Sequence, residues 1–222
     1  MIVVDREQMK AIDNFAINNL KIPSICLVER ASMAVLKNIN LNKFGSFAVI
    51  AGVGNNGADG LAVARNLLAR EKDVEIYIIG DINKANPEFS LNLEACENLT
   101  EEIFYLESIE DLENMEKRIS NVNLIIDAIF GTGLNRPITG IYATVISVIN
   151  NVMKYKLSID IPSGLDASTG REFGEVVDCD LIVSMQLMKE GVYEREIYKK
   201  KCVVEDIGIP QKAIDSVIYG LV

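Results

Sequence analysis

The sequence predicts an α/β fold, a Rossmann-like three-layer αβα architecture with a mostly parallel sheet. Three observations carry this. Along the 222 residues, short apolar runs alternate with segments of helical period. The runs are continuously apolar, as expected of strands covered on both faces. The first clear strand, Phe47 to Ala51, enters a glycine-rich turn with Gly52, Gly54 and Gly57 in Gly-x-Gly-x-x-Gly spacing, and a helix-like segment follows.

Each element has its local reason. Asp5 to Leu20 reads as a helix, capped by Asp5 with Gln8 three positions on as a capping-box partner. Met9, Ile12, Phe15 and Ala16 form its core face. Pro23 opens a second helix through about Ile39, on which Glu29 and Arg30 read as a solvated face. Ala58 to Arg70 is rich in Ala and Leu and predicts a third helix. Val74–Ile79 is a strand, Pro87–Leu99 a helix, Ile103–Leu106 a short strand, and Ser108–Ile119 a polar helix capped by Ser108 with Asp111. Asn123–Ala128 and Leu157–Ile161 are strands separated by a helix over Ile141–Val152. Leu181–Met185 and Lys201–Asp206 are later strands, and Pro210–Val217 a terminal helix. No linker, repeat or low-complexity segment interrupts the pattern, so residues 1–222 are expected to form one domain.

Composition removes several classes of function. A formal net charge of −10 without a basic stripe argues against a nucleic-acid partner. An anionic ligand stays possible, because helix N-termini bind anions locally. The chain has no histidine, which removes Ser-His-Asp and Cys-His catalysis and His-ligated zinc. Proton transfer falls to carboxylates, Lys, Tyr or Cys. Cys26, Cys96, Cys179 and Cys202 are scattered without a C-x-x-C pair and read as reduced residues of a cytoplasmic protein. The N-terminus lacks a signal-peptide pattern, and no apolar run nears the ~20 residues of a membrane span, so no membrane partner is expected.

Three strands end in turns rich in glycine and polar groups: 52–60, 127–137 and 160–166. In open α/β sheets ligands bind beyond the carboxyl ends of the strands. If the strands are neighbours, Asn55, Asn56, Asp59, Asp127, Thr132, Arg136, Asp160, Ser163 and Asp166 converge. Taken singly, such residues are ordinary turn formers. Together their amide, carboxylate and hydroxyl oxygens suit a hard cation rather than zinc. The glycines suit a dinucleotide pyrophosphate. No nucleophile elbow and no Walker A lysine is present.

These turns resemble those of the NAD(P)H-hydrate epimerases, the YjeF N-terminal family. Gly54-Asn55-Asn56-Gly57-Ala58-Asp59-Gly60 is similar to its Gly-Asn-Asn-Gly-Gly-Asp-Gly signature. Asp127-Ala128-Ile129-Phe130-Gly131-Thr132-Gly133-Leu134-Asn135-Arg136-Pro137 resembles the second motif, and Asp160-Ile161-Pro162-Ser163-Gly164-Leu165-Asp166-Ala167-Ser168-Thr169-Gly170 the third. The resemblance spans nearly the whole chain. It implies interconversion of the R and S epimers of hydrated NADH and NADPH, NAD(P)HX, so that an S-specific dehydratase can restore the cofactor. It implies a potassium ion held by Asn56, Asp127 and Ser163, one per subunit, with NAD(P)HX as substrate rather than cofactor. It implies substrate contacts from Asn55, Asn56, Gly57, Ala58 and Asp59, from Gly131, Thr132, Gly133, Leu134, Asn135, Arg136 and Pro137, and from Asp160. A homodimer is also implied.

The hydrated carbon is a hemiaminal, and epimerisation by loss and re-addition of water or by ring opening needs proton transfer at its hydroxyl. Asp160, at a strand end in a chain without histidine, is the candidate acid or base. The chain departs from the family pattern at three places. Ala58 replaces a glycine, and its methyl is expected to crowd a phosphate. Val28-Glu29-Arg30-Ala31-Ser32 stands where the family often has Met-Glu-Asn-Ala-Gly, and Leu187-Met188-Lys189-Glu190-Gly191 follows Pro-Lys-x-Gly loosely. Two other readings fit part of the sequence. One is a nucleotide-binding or scaffold module without turnover. The other is an NAD-dependent dehydrogenase, with Asp81 after the second strand as the ribose ligand.

Overall fold

The structure is a computed structural model and describes residues 1–221; residue 222 of the expected domain lies outside the described residues. In chain order the elements are β1 (Val3–Val4), α1 (Arg6–Asn14), α2 (Ser24–Lys37), β2 (Ser46–Gly52), α3 (Asn55–Leu68), β3 (Asp73–Ile79), α4 (Pro87–Glu97), β4 (Ile103–Tyr105), α5 (Ile109–Ile119) and β5 (Leu124–Ala128). They continue with α6 (Ile141–Asn151), β6 (Tyr155–Ile159), β7 (Leu181–Met185), β8 (Met188–Lys189), α7 (Glu190–Tyr193), α8 (Glu196–Lys199), β9 (Cys202–Glu205) and α9 (Gln211–Ile218).

Seven strands form one parallel sheet in the order β4-β3-β2-β5-β6-β7-β9. The order reverses between β2 and β5, which pair with Ile50 beside Asp127 and Ala51 beside Ala128. That reversal is the topological switch point, where an open α/β sheet leaves a crevice beyond its carboxyl edge. Side chains alternate across the pleat. Val49 and Ala51 point into a core built with α1, α2, α3, α4 and α9, while Ala48 and Ile50 enter a second core built with α5 and α6. The expected αβα layering is therefore present.

Both expected capping boxes form, Asp5 with Gln8 and Ser108 with Asp111. Three local features differ from the sequence expectation. The first helix stops being α-helical at Asn14 and continues as a π-helical turn over Phe15–Asn19. The third helix starts at Asn55, so the Asn-Asn-Gly stretch is its first turn rather than a loop before it. A separate two-stranded parallel sheet, β1 with β8, pairs Val3 with Met188 and Val4 with Lys189. Two-residue strands carry too little pattern to be read from sequence.

Glu29 and Arg30 are not a simply solvated face. Glu29 accepts from Arg65, as an ion pair, and from Asn66 Nδ2 at 3.0 Å, joining α2 to α3. The Arg30 guanidinium lies against Gly208, where an added Cβ would meet it at 2.6 Å.

The core helix α3 should dominate stability. Leu67 is fully buried at the end of α3 remote from the crevice. Leu67→Ala is expected to cost about 2–5 kcal/mol through lost burial and a residual cavity, read as a lowered urea midpoint with an unchanged m-value.

Candidate active site

The three polar turns do converge. They border a cleft of about 800 Å³ over the carboxyl ends of β2, β5 and β6, closed on one side by α1. Of the residues expected at a ligand, Asn55, Asn56, Ala58, Asp59, Gly131, Thr132, Gly133, Leu134, Asn135, Arg136 and Asp160 line it. Gly57 and Pro137 do not, and Asp127 and Ser163 are fully buried beneath it.

Glycine spacing serves packing before it serves a ligand. A Cβ on Gly57 would sit 1.5 Å from the Gly52 carbonyl oxygen, and one on Gly52 would sit 2.2 Å from the Ile129 oxygen. Gly52 and Gly57 therefore let strand, turn and helix close on one another. Only Gly54, the N-cap, has open space where a Cβ would project. No side chain caps α3, and its first intrahelical bond runs from the Ala58 amide to the Gly54 carbonyl. The amides of Asn55, Asn56 and Gly57 thus stand at an uncapped helix N-terminus, a ready anion site. The Ala58 methyl is fully buried in the core, where it packs rather than crowds a ligand.

Beneath the cleft, Asp127 ends β5 with a carboxylate that is 0% exposed. Its oxygens accept from Ser163 Oγ (2.5 Å), the Ser163 amide (2.9 Å), Ser158 Oγ (2.8 Å) and the Ile129 amide (3.3 Å). Burial raises its pKa, while the Ser163, Ser158 and Ile129 bonds oppose the rise. Among the described residues no lysine or arginine pairs with it. Ser163 Oγ also accepts from the Phe130 amide at 2.9 Å, and Asn56 Nδ2 donates to the Phe130 carbonyl at 3.0 Å. That leaves Asn56 Oδ1 facing Gly131, whose missing side chain permits the approach. The donor set is one buried anion plus neutral oxygens, a match for one hard monovalent cation.

Asp160 follows β6 with φ of 67°, a left-handed conformation that Asp tolerates better than most residues. Its Oδ1 accepts from the Met185 amide at 3.0 Å and pairs with Lys189 Nζ at 2.5 Å. Lys189, 0% exposed, donates also to the Met185 carbonyl at 2.6 Å. Asp13 of α1 and Asp59 of α3 line the same cleft. Burial, opposed by Lys189 and reinforced by Asp160, raises Asp13 to about 6. Burial, then Asp160 and Asp13, push Asp59 well above the carboxylate range against the pull of Lys189.

Sequence reasoning missed Asp13, Lys189 and Arg6. The available signal for Asp13 was a carboxylate beside Ile12 on a core face; for Lys189 it was the lysine of the loosely matched Pro-Lys-x-Gly stretch, a cation within an apolar run. Arg6 binds loop to loop. Its Nε donates to the Thr132 carbonyl (2.8 Å) and its Nη2 to the Leu134 carbonyl (2.6 Å), and it pairs with the Asp166 carboxylate. Burial opposes charge on Asp166, yet hydrogen bonds from Thr169, the Arg6 guanidinium and the Ser168 amide hold its pKa below the usual value. Asp81 does not line the cleft. It caps the short turn Ile82–Lys84 by accepting from the Asn83 amide, so the ribose-ligand role of a dehydrogenase has no support here.

Two outcomes follow from this geometry. Arg6→Met should free the 131–137 loop, read as faster amide exchange at Gly131 to Asn135 with exchange in β3 unchanged. Asp13→Asn should stabilise the protein. A carboxyl raised from 3.8 to about 6 binds its proton more tightly when folded, so its charged form opposes folding at higher pH. The gain has a ceiling of about 3 kcal/mol above pH 7 and should fade as the pH falls from 6 to 4, read from thermal midpoints across that range.

Comparison with known proteins agrees with this geometry. The family described as YjeF-related protein N-terminus matches residues 24–191. An NAD(P)H-hydrate epimerase of Anaerococcus prevotii is 62% identical over 218 residues, covering 98% of this chain and 100% of that protein. One of Oenococcus oeni is 36% identical, covering 94% and 97%. A bifunctional NAD(P)H-hydrate repair enzyme of Moorella thermoacetica is 34% identical over 96% of this chain but 42% of its own length. The crystal structure of yeast ynu0 shares the fold, with a TM-score of 0.77 at 20% identity, covering 93% of this chain and 88% of that one. With the three motifs gathered at one switch point and a full-length relative at 62% identity, the chain belongs to the YjeF-related protein N-terminus family.

Proposed function

We propose that this protein is an isomerase of nicotinamide nucleotide repair, interconverting the R and S epimers of hydrated NADH and NADPH. The observation that carries the reading is the joint presence, in one cleft, of an uncapped helix N-terminus for the pyrophosphate and a buried oxygen cage around Asp127. The similarity to full-length epimerases supports the same activity.

In this reading Asn56, Asp127 and Ser163 hold a potassium ion, which supplies a fixed positive charge beneath the substrate. The free amides at the start of α3 and the Asn55 side chain face the dinucleotide phosphates, and the cleft-lining stretch Gly131 to Arg136 with Asp160 encloses the hydrated ring. Arg6 shapes that enclosure through the Thr132 and Leu134 carbonyls. Asp160 transfers a proton at the hemiaminal hydroxyl, whether the carbon inverts through loss of water or through ring opening. The partners on this reading are the small dinucleotide, a second copy of the chain, and an S-specific dehydratase in the cytoplasm. The bifunctional relative, longer than this chain, supports the last of these. Among the described residues no helix is long and apolar enough to cross a membrane.

A separated R epimer of NADHX, mixed with the protein in potassium and in lithium buffers, tests the proposal by chromatography. Appearance of S is expected, faster in potassium. Asp160→Asn should slow it by about 100-fold or more. No exchange in either buffer overturns the activity, and equal rates in both overturn the potassium assignment.

A further inference from the structure

Epimerisation of a hemiaminal needs a proton donor and a proton acceptor. In the water-loss route, a donor protonates the hydroxyl and the C–O bond breaks, its electron pair leaving with water. The ring-nitrogen lone pair then forms the C=N bond. Water adds to the opposite face of that iminium, and an acceptor takes the surplus proton. In the ring-opening route, the acceptor takes the hydroxyl proton as C=O forms, the C–N bond breaks, and a donor protonates nitrogen. With the ring held fixed, the water-loss route releases water from one face and adds it to the other, so donor and acceptor are two groups on opposite faces.

The cleft holds the required pair. Asp160 is committed on one oxygen to Lys189 Nζ and to the Met185 amide, so it is fixed as an ion-paired carboxylate. Lys189 has no exposure and is itself fixed by the Met185 carbonyl. Asp13 arrives from α1 and Asp59 from α3, two further carboxyl groups in the same cleft. We propose that Asp59 is the proton donor of the reaction, with Asp13 the neighbouring carboxyl group in the same cleft, and that Lys189 is the positioning residue that fixes Asp160 as its acceptor partner. This rests on the epimerase reading and deepens it.

Electrostatics agree with the assignment made from placement. The charged groups facing Asp13 and Asp59 are each other, Asp160 and Lys189. Arg6 lines the cleft and is engaged with Asp166, and Glu88 lines it from α4, accepting from Ser24 Oγ. Glu7, Lys10 and Arg136 line the cleft as exposed residues. Burial raises both carboxyl groups, and the charges of Asp160 and Asp13 raise Asp59 further, so Asp59 is the group that keeps its proton. The proton that leaves Asp59 during a turnover ends on Asp160 and returns through solvent. The reverse epimerisation starts from the other protonation state, as reversibility demands. The backbone pairing of Val4 with Lys189 brings α1, and so Asp13, to the cleft.

The test compares Asp59→Asn, Asp13→Asn, Lys189→Met and Lys189→Arg in the epimer-exchange assay across pH, alongside a carbon-13 carboxyl titration of aspartate-labelled wild-type protein. Asp59→Asn should lower kcat by about 100-fold or more with KM kept within about threefold. Asp13→Asn should keep measurable exchange but move the alkaline limb of the rate profile to lower pH, because the neighbouring charge that holds the Asp59 proton is gone. Lys189→Met should lower kcat without raising KM, and Lys189→Arg should restore part of it. In the titration, an aspartate signal with a midpoint near 6 should vanish in Asp13→Asn, and the signal of Asp59 should shift with it. Wild-type rate and profile in Asp59→Asn and Asp13→Asn would overturn the inference while leaving the epimerase reading intact. Independent titrations of the two carboxyls, with no mutual shift, would overturn it even if exchange were absent from the wild type. Absence of exchange in the wild type alone overturns the epimerase reading on which it rests.

Discussion

The Asp127 carboxylate is the interaction on which the site depends. It sits at the end of β5, beside the switch point, with no exposure. Its oxygens accept from Ser158 on β6, from Ser163 on the third turn and from the Ile129 amide on the second. The Phe130 peptide then links Ser163 to Asn56 at the start of α3. Three turns from distant parts of the chain are thereby tied to one anion. A buried charge without a cationic partner is costly, and the four hydrogen bonds from Ser158, Ser163 and Ile129 offset part of that cost.

Around that anion the cleft is arranged by charge sign and depth. Asp127 and Ser163 are buried beneath it, whereas Asp13, Asp59, Asp160, Lys189 and the start of α3 line it. Arg6 acts as a strap rather than as a phosphate ligand. Its donors are spent on two carbonyls of the second turn and on Asp166 of the third.

The motifs were legible because their chemistry is local. Gly54, Asn55, Asn56 and Asp59 lie within six residues at the start of α3, and a strand-end turn must have glycine where two backbones touch, as Gly57 does against Gly52. The roles of the glycines were less legible. Spacing suggested phosphate contact, whereas Gly52 and Gly57 are occupied in packing and only Gly54 is open. The Ala58 methyl, standing where the family has glycine, packs in the core at the start of α3 while its residue borders the cleft. Glu29 read as a solvated face because its partner, Arg65, lies on another helix.

By itself, the sequence determined the αβα class, the order of strands and helices, the three polar turns and the absence of imidazole chemistry. Those follow from hydrophobic period, turn chemistry and composition, all of which act over a few residues. Tertiary structure alone decided which groups share the cleft. Asp13, Asp160 and Lys189 meet only because β1 pairs with β8 across nearly the whole chain and β6 adjoins β7 in the sheet. No window of sequence contains that pairing, and a two-residue strand gives it no pattern. The proton inventory of the site is thus a property of the folded chain, set by which carboxyl groups burial forces together.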